Sequence, residues 1–190
     1  METLYPVILP VPDDKRGIPP RERVKYLSAH ARRALALSAQ KTNTPLGRLR
    51  KDENGCPLPF DGTYWSLSHK PEYVCGVTAP ARIGIDIEKI RPCKKALFKR
   101  TAGDDEWKLS DMDPFMLFFR FWTAKEAVLK AAGTGFKDLS KCRVIQIIDA
   151  THLVVDYDQT QWPIEHYFFR DHIASIVMDS FRIEWVLETT

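Results

Sequence analysis

A chain of 190 residues, 44% hydrophobic and 28% charged, is long enough for one ordinary domain or for two small ones sharing an interface. That balance excludes extended disorder, and no apolar run approaches the ~18 residues a membrane span needs. A net charge of +3 suits an anionic small ligand or an acidic partner surface and falls short of the basicity of a nucleic-acid binder.

The opening METLYPVILPVPDDK has no basic segment ahead of its short apolar run, so it does not read as a signal peptide. Residues 4–11 read as a short edge strand, because prolines such as Pro6 and Pro10 are tolerated at a sheet edge and not at its centre. Pro19-Pro20 then introduces a helix over 21–40. Val24, Leu27, Ala31, Ala34, Leu35 and Ser38 fall at helical spacing, with Arg21, Arg23, Lys25, Arg32 and Arg33 around the other face. A basic face of this kind is most often simply solvated.

Residues 42–60 are rich in turn formers (Pro45, Gly47, Asn54-Gly55, Pro57, Pro59) and carry Arg48, Arg50 and Lys51. Residues 64–69 alternate apolar and polar and end in Ser68-His69. Two strands over 73–79 and 82–88, joined by a turn at Pro80, come next, followed by charged helical segments over 94–101 and 104–110. Asp113-Pro114 marks a helix start, with aspartate at the N-cap and proline in the first turn, and that helix should run to Gly133. Short strands over 143–148, 153–157, 164–169, 173–178 and 183–187 form an antiparallel meander against it. Each half runs from helix into strands, which predicts an α+β fold of two small lobes, 1–80 and 81–190. Cys56, Cys75, Cys93 and Cys142 form no CxxC or zinc spacing and read as reduced thiols of a cytoplasmic protein.

Two stretches carry chemistry. In GIDIE, 84–88, the strand period of two sends Ile83, Ile85 and Ile87 to one face. Gly84, Asp86 and Glu88 go to the other, the carboxylates about 6–7 Å apart and the glycine leaving room for a ligand. Alone, this fits an ordinary polar strand face better than a site. In FFRFWTAKEAVLKAAG, 118–133, Glu126 and Lys130 share a helix face one turn apart, which alone reads as an ion pair worth ~0.5 kcal/mol or less. Together the stretches bring three carboxylates toward one place. These would repel without a cation, and hard oxygen ligands with room for water and phosphate favour Mg²⁺ over zinc. Lys125 and Lys130 would then complete a phosphate clamp. No G-x-S-x-G elbow, GxGxxG or Walker A loop is present.

WSLSHK (65–70), GIDIEKIRP (84–92) and FWTAKEAVLKAAG (121–133) resemble, in this order and spacing, the three signature stretches of 4′-phosphopantetheinyl transferases of the Sfp type. The resemblance implies two similar lobes related by pseudo-twofold symmetry, built of antiparallel sheets packed with helices, with coenzyme A and Mg²⁺ between them. It implies Mg²⁺-dependent transfer of the phosphopantetheine arm of coenzyme A to a serine of an acidic apo acyl or peptidyl carrier protein, releasing adenosine 3′,5′-bisphosphate. By position, Asp86 and Glu126 would bind Mg²⁺, with Glu88 a ligand directly or through water. Lys130 and Lys125 would hold the pyrophosphate. Ser68 and His69 would meet the coenzyme A phosphates, and Arg33 the 3′-phosphate. Glu126 and Lys130 would be the catalytic pair, with Glu126 the base for the serine hydroxyl. No nucleic-acid or membrane partner is implied, and the length fits a pseudo-dimeric monomer. One departure stands out: Gly55-Cys56-Pro57 replaces the G-K-P common in the family, leaving Arg48, Arg50 or Lys51 to serve the nucleotide end. A non-catalytic coenzyme A or carrier-binding module of the same fold is the alternative that this departure suggests.

Overall fold

The computed structural model describes residues 1–53 and 55–189, so Asn54 of the expected Asn54-Gly55 turn lies outside the described residues. Tyr5-Pro6 splits the first extended segment into β1 (Thr3–Leu4) and β2 (Val7–Pro10), and a single turn, α1 (Asp13–Arg16), leads to α2 (Pro20–Lys41). Pro20 occupies the first turn of α2, where its missing N–H costs nothing, and burial starts at Leu27. Val24, counted with the apolar stripe, precedes that contact and is 57% exposed. The turn-rich segment folds as a two-residue ladder of β3 (Arg50–Lys51) and β4 (Pro57–Leu58), followed by β5 (Tyr64–His69), β6 (Tyr73–Ala79) and β7 (Ile85–Lys89). Then come α3 (Lys95–Thr101), α4 (Asp104–Trp107), α5 (Pro114–Ala132), a 3₁₀ turn over Phe136–Lys141, and the strands β8 (Arg143–Ile147), β9 (His152–Tyr157), β10 (Thr160–Phe169), β11 (His172–Val177), β12 (Arg182–Ile183) and β13 (Val186–Leu187).

Helix α5 forms where its caps say it should. Asp113 Oδ1 accepts from the amides of Phe115 and Met116 at 3.1 and 3.0 Å, and Gly133 ends the helix at φ 74°. It is buried on nearly every face, which marks a central helix rather than a surface one.

The strands form two main sheets, ordered β13-β2-β6-β5 and β7-β11-β10-β9-β8, the second antiparallel throughout. Two expectations are corrected. β2 is not an edge strand: β13 pairs with it in parallel, and the carbonyls of Pro6 and Ile8 accept from Val186 and Glu188, so no proline N–H is missed. The C-terminal segment leaves the meander, β12 pairing with β1 and β13 with β2. The two strands expected on either side of Pro80 form and enter different sheets: β6 pairs with β2 and β5 while β7 pairs with β11.

The sheets meet at the edges formed by β5 and β7, where serine side chains replace a backbone ladder: the Ile85 amide donates to Ser66 Oγ at 3.1 Å. One core runs through the junction, joining Ile8, Cys75 and Val77 of the first sheet to Ile85, Ile87 and Phe121 of the second unit. Each unit packs its long helix onto a glycine. A Cβ at Gly76 would lie 2.6 Å from Leu35 N on α2. A Cβ at Gly84 would lie 2.8 Å from both the Ala127 carbonyl carbon and Ala131 N on α5. Gly84 therefore makes room for the α5 backbone and not, as expected, for a ligand. Cys56, Cys75, Cys93 and Cys142 are free thiols, and among the described residues no helix is long and apolar enough to cross a membrane.

Candidate active site

Because Gly84 lets α5 down onto the sheet, the face of β7 that carries Asp86 and Glu88 looks at the helix face that carries Glu126 and Lys130. Asp86 is the centre. Its Oδ1 accepts from Lys130 Nζ and from Ser68 Oγ, both at 2.7 Å, and Lys130 Nζ also donates to the Ile85 carbonyl at 2.8 Å. The expected Glu126–Lys130 ion pair is thus replaced by Lys130–Asp86. Asp86 Oδ2 and Glu126 Oε1 are buried and have no hydrogen-bond partner among the described residues. Burial, followed by the neighbouring Asp86 charge, pushes the Glu126 carboxyl up from 4.5 to about 8.

Behind the pair a buried hydroxyl chain ties helix to sheet. Ser175, the β11 register partner of Asp86, contacts Thr123 Oγ1 of α5 and His166 Nδ1 of β10. Full burial holds His166 well below its ordinary value, so its ring is neutral.

Two buried, unpartnered carboxylate oxygens on groups close enough for the Asp86 charge to act on Glu126 are a donor set for a hard divalent cation, so Asp86 and Glu126 fit Mg²⁺. Glu88 is committed elsewhere: its Oε1 lies 2.6 Å from Lys70 Nζ, and the Trp122 indole also bonds to it. Among the described residues no three His, Cys, Asp or Glu side chains group to hold a metal.

The lysines form the anion side. His69 is half-buried, and burial, then the charges of Lys130, Lys70 and Lys51, hold its pKa down. Strand alternation places Ser68 toward β7 while Leu67 joins the core under α2, which sets His69 on the opposite face from Ser68. Next to Lys130 a cleft of about 260 Å³ is lined by Asp52, Cys56, Tyr64, Arg82 and Gly133. The Cys56 thiol donates to the Gly133 carbonyl at 3.1 Å, latching the turn-rich loop to the end of α5. Arg48 and Arg50 line an adjoining depression that shares Pro59 with this cleft.

Two residues do not join the group. Lys125 is directed away: its Nζ is buried, 2.6 Å from both Glu106 Oε1 and the Thr101 carbonyl. Neighbours in a helix sequence do not share a face. Lys125→Met is accordingly expected to lower the melting temperature, which thermal melts check. Arg33 is exposed on α2 and lines a separate depression with His30, Leu37 and Glu188. Sequence reading passed over Lys70 and Arg82. Lys70 carried a signal, as a cation directly after the Ser68-His69 pair.

Residues 82–178, about half of the chain, match the sequence profile of the 4′-phosphopantetheinyl transferase superfamily. The chain is 37% identical over 90 residues to the 4′-phosphopantetheinyl transferase HetI of Nostoc sp., a match covering 44% of this chain and 38% of HetI. It is 36% identical over 88 residues to the 4′-phosphopantetheinyl transferase psf-1 of Bacillus pumilus, covering 43% and 38%. A longer, weaker match is to the human L-aminoadipate-semialdehyde dehydrogenase-phosphopantetheinyl transferase, 25% identical over 169 residues, covering 72% and 55%. The chain thus spans less than half the length of the bacterial relatives it matches. The profile takes in β7, α5 and the sheet behind them, which together carry the buried carboxylates, and the chain belongs to the 4′-phosphopantetheinyl transferase superfamily, with Sfp-like relatives.

Proposed function

We propose that this chain transfers the 4′-phosphopantetheine arm of coenzyme A to a serine hydroxyl of an acidic apo acyl or peptidyl carrier protein, in a Mg²⁺-dependent reaction that releases adenosine 3′,5′-bisphosphate. The observation that carries the reading is the buried, unpartnered pair of oxygens, Asp86 Oδ2 and Glu126 Oε1, beside Lys130. Mg²⁺ held by Asp86 and Glu126 would supply positive charge to the diphosphate oxygens. Lys130 turns its ammonium to the same place, and Ser68 orients Asp86. The serine oxygen forms a bond to the β-phosphorus while the bond from that phosphorus to the bridging oxygen breaks. Glu126 accepts the hydroxyl proton. Arg82 lines the cleft where a nucleotide phosphate would sit, and the charge of Lys51 reaches His69.

An acidic partner is supported by residues 89–103, which hold six cations and no Asp or Glu. They follow Glu88 directly, and Arg91, Lys94, Lys95, Lys99 and Arg100 are exposed. Charge reversal at Lys95 and Lys99 is expected to raise KM for the carrier about tenfold at low salt, less at high salt, with kcat unchanged; kinetics at two ionic strengths check this. Both walls of the site come from one chain around a shared core, which supports action as a monomer, and four free thiols suit the cytoplasm.

The test is labelling of a panel of apo carrier proteins with a fluorescent coenzyme A analogue. Labelling should appear with Mg²⁺ and stop with EDTA. Binding of the analogue without labelling of any carrier would favour the non-catalytic module.

A further inference from the structure

Three carboxylates border the site, yet they are not equivalent. Asp86 and Glu126 each keep one buried oxygen without a partner, whereas Glu88 receives the Lys70 ammonium at 2.6 Å and the Trp122 indole. Lys70 is itself fixed. It follows β5 and precedes Pro71, and its amide donates to the Tyr73 carbonyl at 2.8 Å, closing the turn into β6. The pair sits in a low-water setting, with side-chain exposures of 33% and 12%, where a charged hydrogen bond is not screened away. Burial would lower the Lys70 ammonium. The charge and hydrogen bond of Glu88, with Asp86 and Glu126 beyond it, more than reverse this.

We infer that Lys70 is a positioning residue that keeps Glu88 from ligating the metal directly, leaving Asp86 and Glu126 as the two carboxylates that hold it. This rests on the metal site proposed above and departs from a three-carboxylate set. Two carboxylates leave positions for water and for the diphosphate of coenzyme A, the environment Mg²⁺ prefers because it dehydrates reluctantly. The metal and coenzyme A then bind together, each completing the other's contacts. Breaking the Lys70 pair frees Glu88 to swing toward the metal, adding a third negative ligand.

The test is Mn²⁺ binding followed by the electron paramagnetic resonance of free Mn²⁺, with coenzyme A present and no carrier, so that no turnover occurs. Asp86→Asn should weaken binding at least about tenfold, while Glu88→Gln should change it less than about threefold. Lys70→Arg keeps the ion pair and should match the wild type. Lys70→Met should tighten binding about tenfold, and the gain should vanish in Lys70→Met/Glu88→Gln. A gain that persists in the double variant would reflect only a lost positive charge and would overturn the inference. So would a Glu88→Gln loss as large as that of Asp86→Asn, or a Lys70→Met variant that binds no tighter than wild type. Failure of the wild-type protein to bind Mn²⁺ at millimolar metal would overturn the metal site itself, and the role of Lys70 with it.

Discussion

Glu126→Gln is expected to raise the melting temperature of the metal-free protein while cutting transfer by about 10³-fold or more. Glu126 is 3% exposed, and one of its carboxyl oxygens has no partner among the described residues. Below pH 4.5 the group is protonated whether the chain is folded or not, and it contributes nothing to pH dependence. Between 4.5 and about 8 the unfolded chain has ionised Glu126 while the folded protein still holds the proton, so the unfolded state binds fewer protons and stability falls as pH rises. Above about 8 the loss is complete. The gap corresponds to at most about 5 kcal/mol, and relaxation of the site will reduce it to about 2 kcal/mol. For a chain of this length that is a rise of about 4–8 °C in the amide variant. The amide has no charge to desolvate and can offer an N–H to Asp86.

The measurement is a pair of melts in EDTA, at pH 5 and pH 8. The variant should gain little at pH 5 and most of the difference at pH 8. A variant less stable than wild type at pH 8 would mean that Glu126 is held as an ion and would remove the desolvated site.

Much of this site could be read from residue types and spacing, and what could not shares one cause. The α5 boundaries follow from Asp113-Pro114 and Gly133 because capping is local chemistry. The alternation over 84–88 fixes which side chains share a face, because a strand has a period of two. The partners across space are not local. Nothing near Gly84 announces Ala127, so the glycine reads as room for a ligand until α5 is seen lying on it. The i,i+4 pairing of Glu126 with Lys130 is the best local option, and it loses to Asp86, which a separate strand brings to Lys130. Lys125 could have been set aside from sequence, since it lies about 100° around the helix from Glu126; its partner Glu106 could not have been named. The return of β12 and β13 to the first sheet rests on two-residue pairings that leave no periodic signal.

Gly84→Ala is expected to cost about 3 kcal/mol and to remove more activity than that loss of stability explains. The added methyl would sit 2.8 Å from the Ala127 carbonyl carbon and Ala131 N, and nearer still to the Ala127 oxygen. These are backbone atoms, so no rotamer relieves the contact; either the helix lifts or the strand shifts. Either motion separates Asp86 from Lys130 and Glu126, which face each other only because α5 lies this close. Gly76→Ala is the matched control. Its methyl would meet α2 backbone at 2.6 and 2.9 Å, a comparable clash in the unit that carries neither Asp86 nor Glu126. Both variants should show lowered urea midpoints, but turnover per folded molecule should fall at least about tenfold in Gly84→Ala and stay within about threefold of wild type in Gly76→Ala. Equal losses of turnover would mean that the close approach serves packing alone. A Gly84→Ala protein of full stability would mean that α5 does not lie on the strand. If the split is found, the spacing of α5 from β7 is set by catalysis as well as by folding, and Gly84 is the residue that sets it.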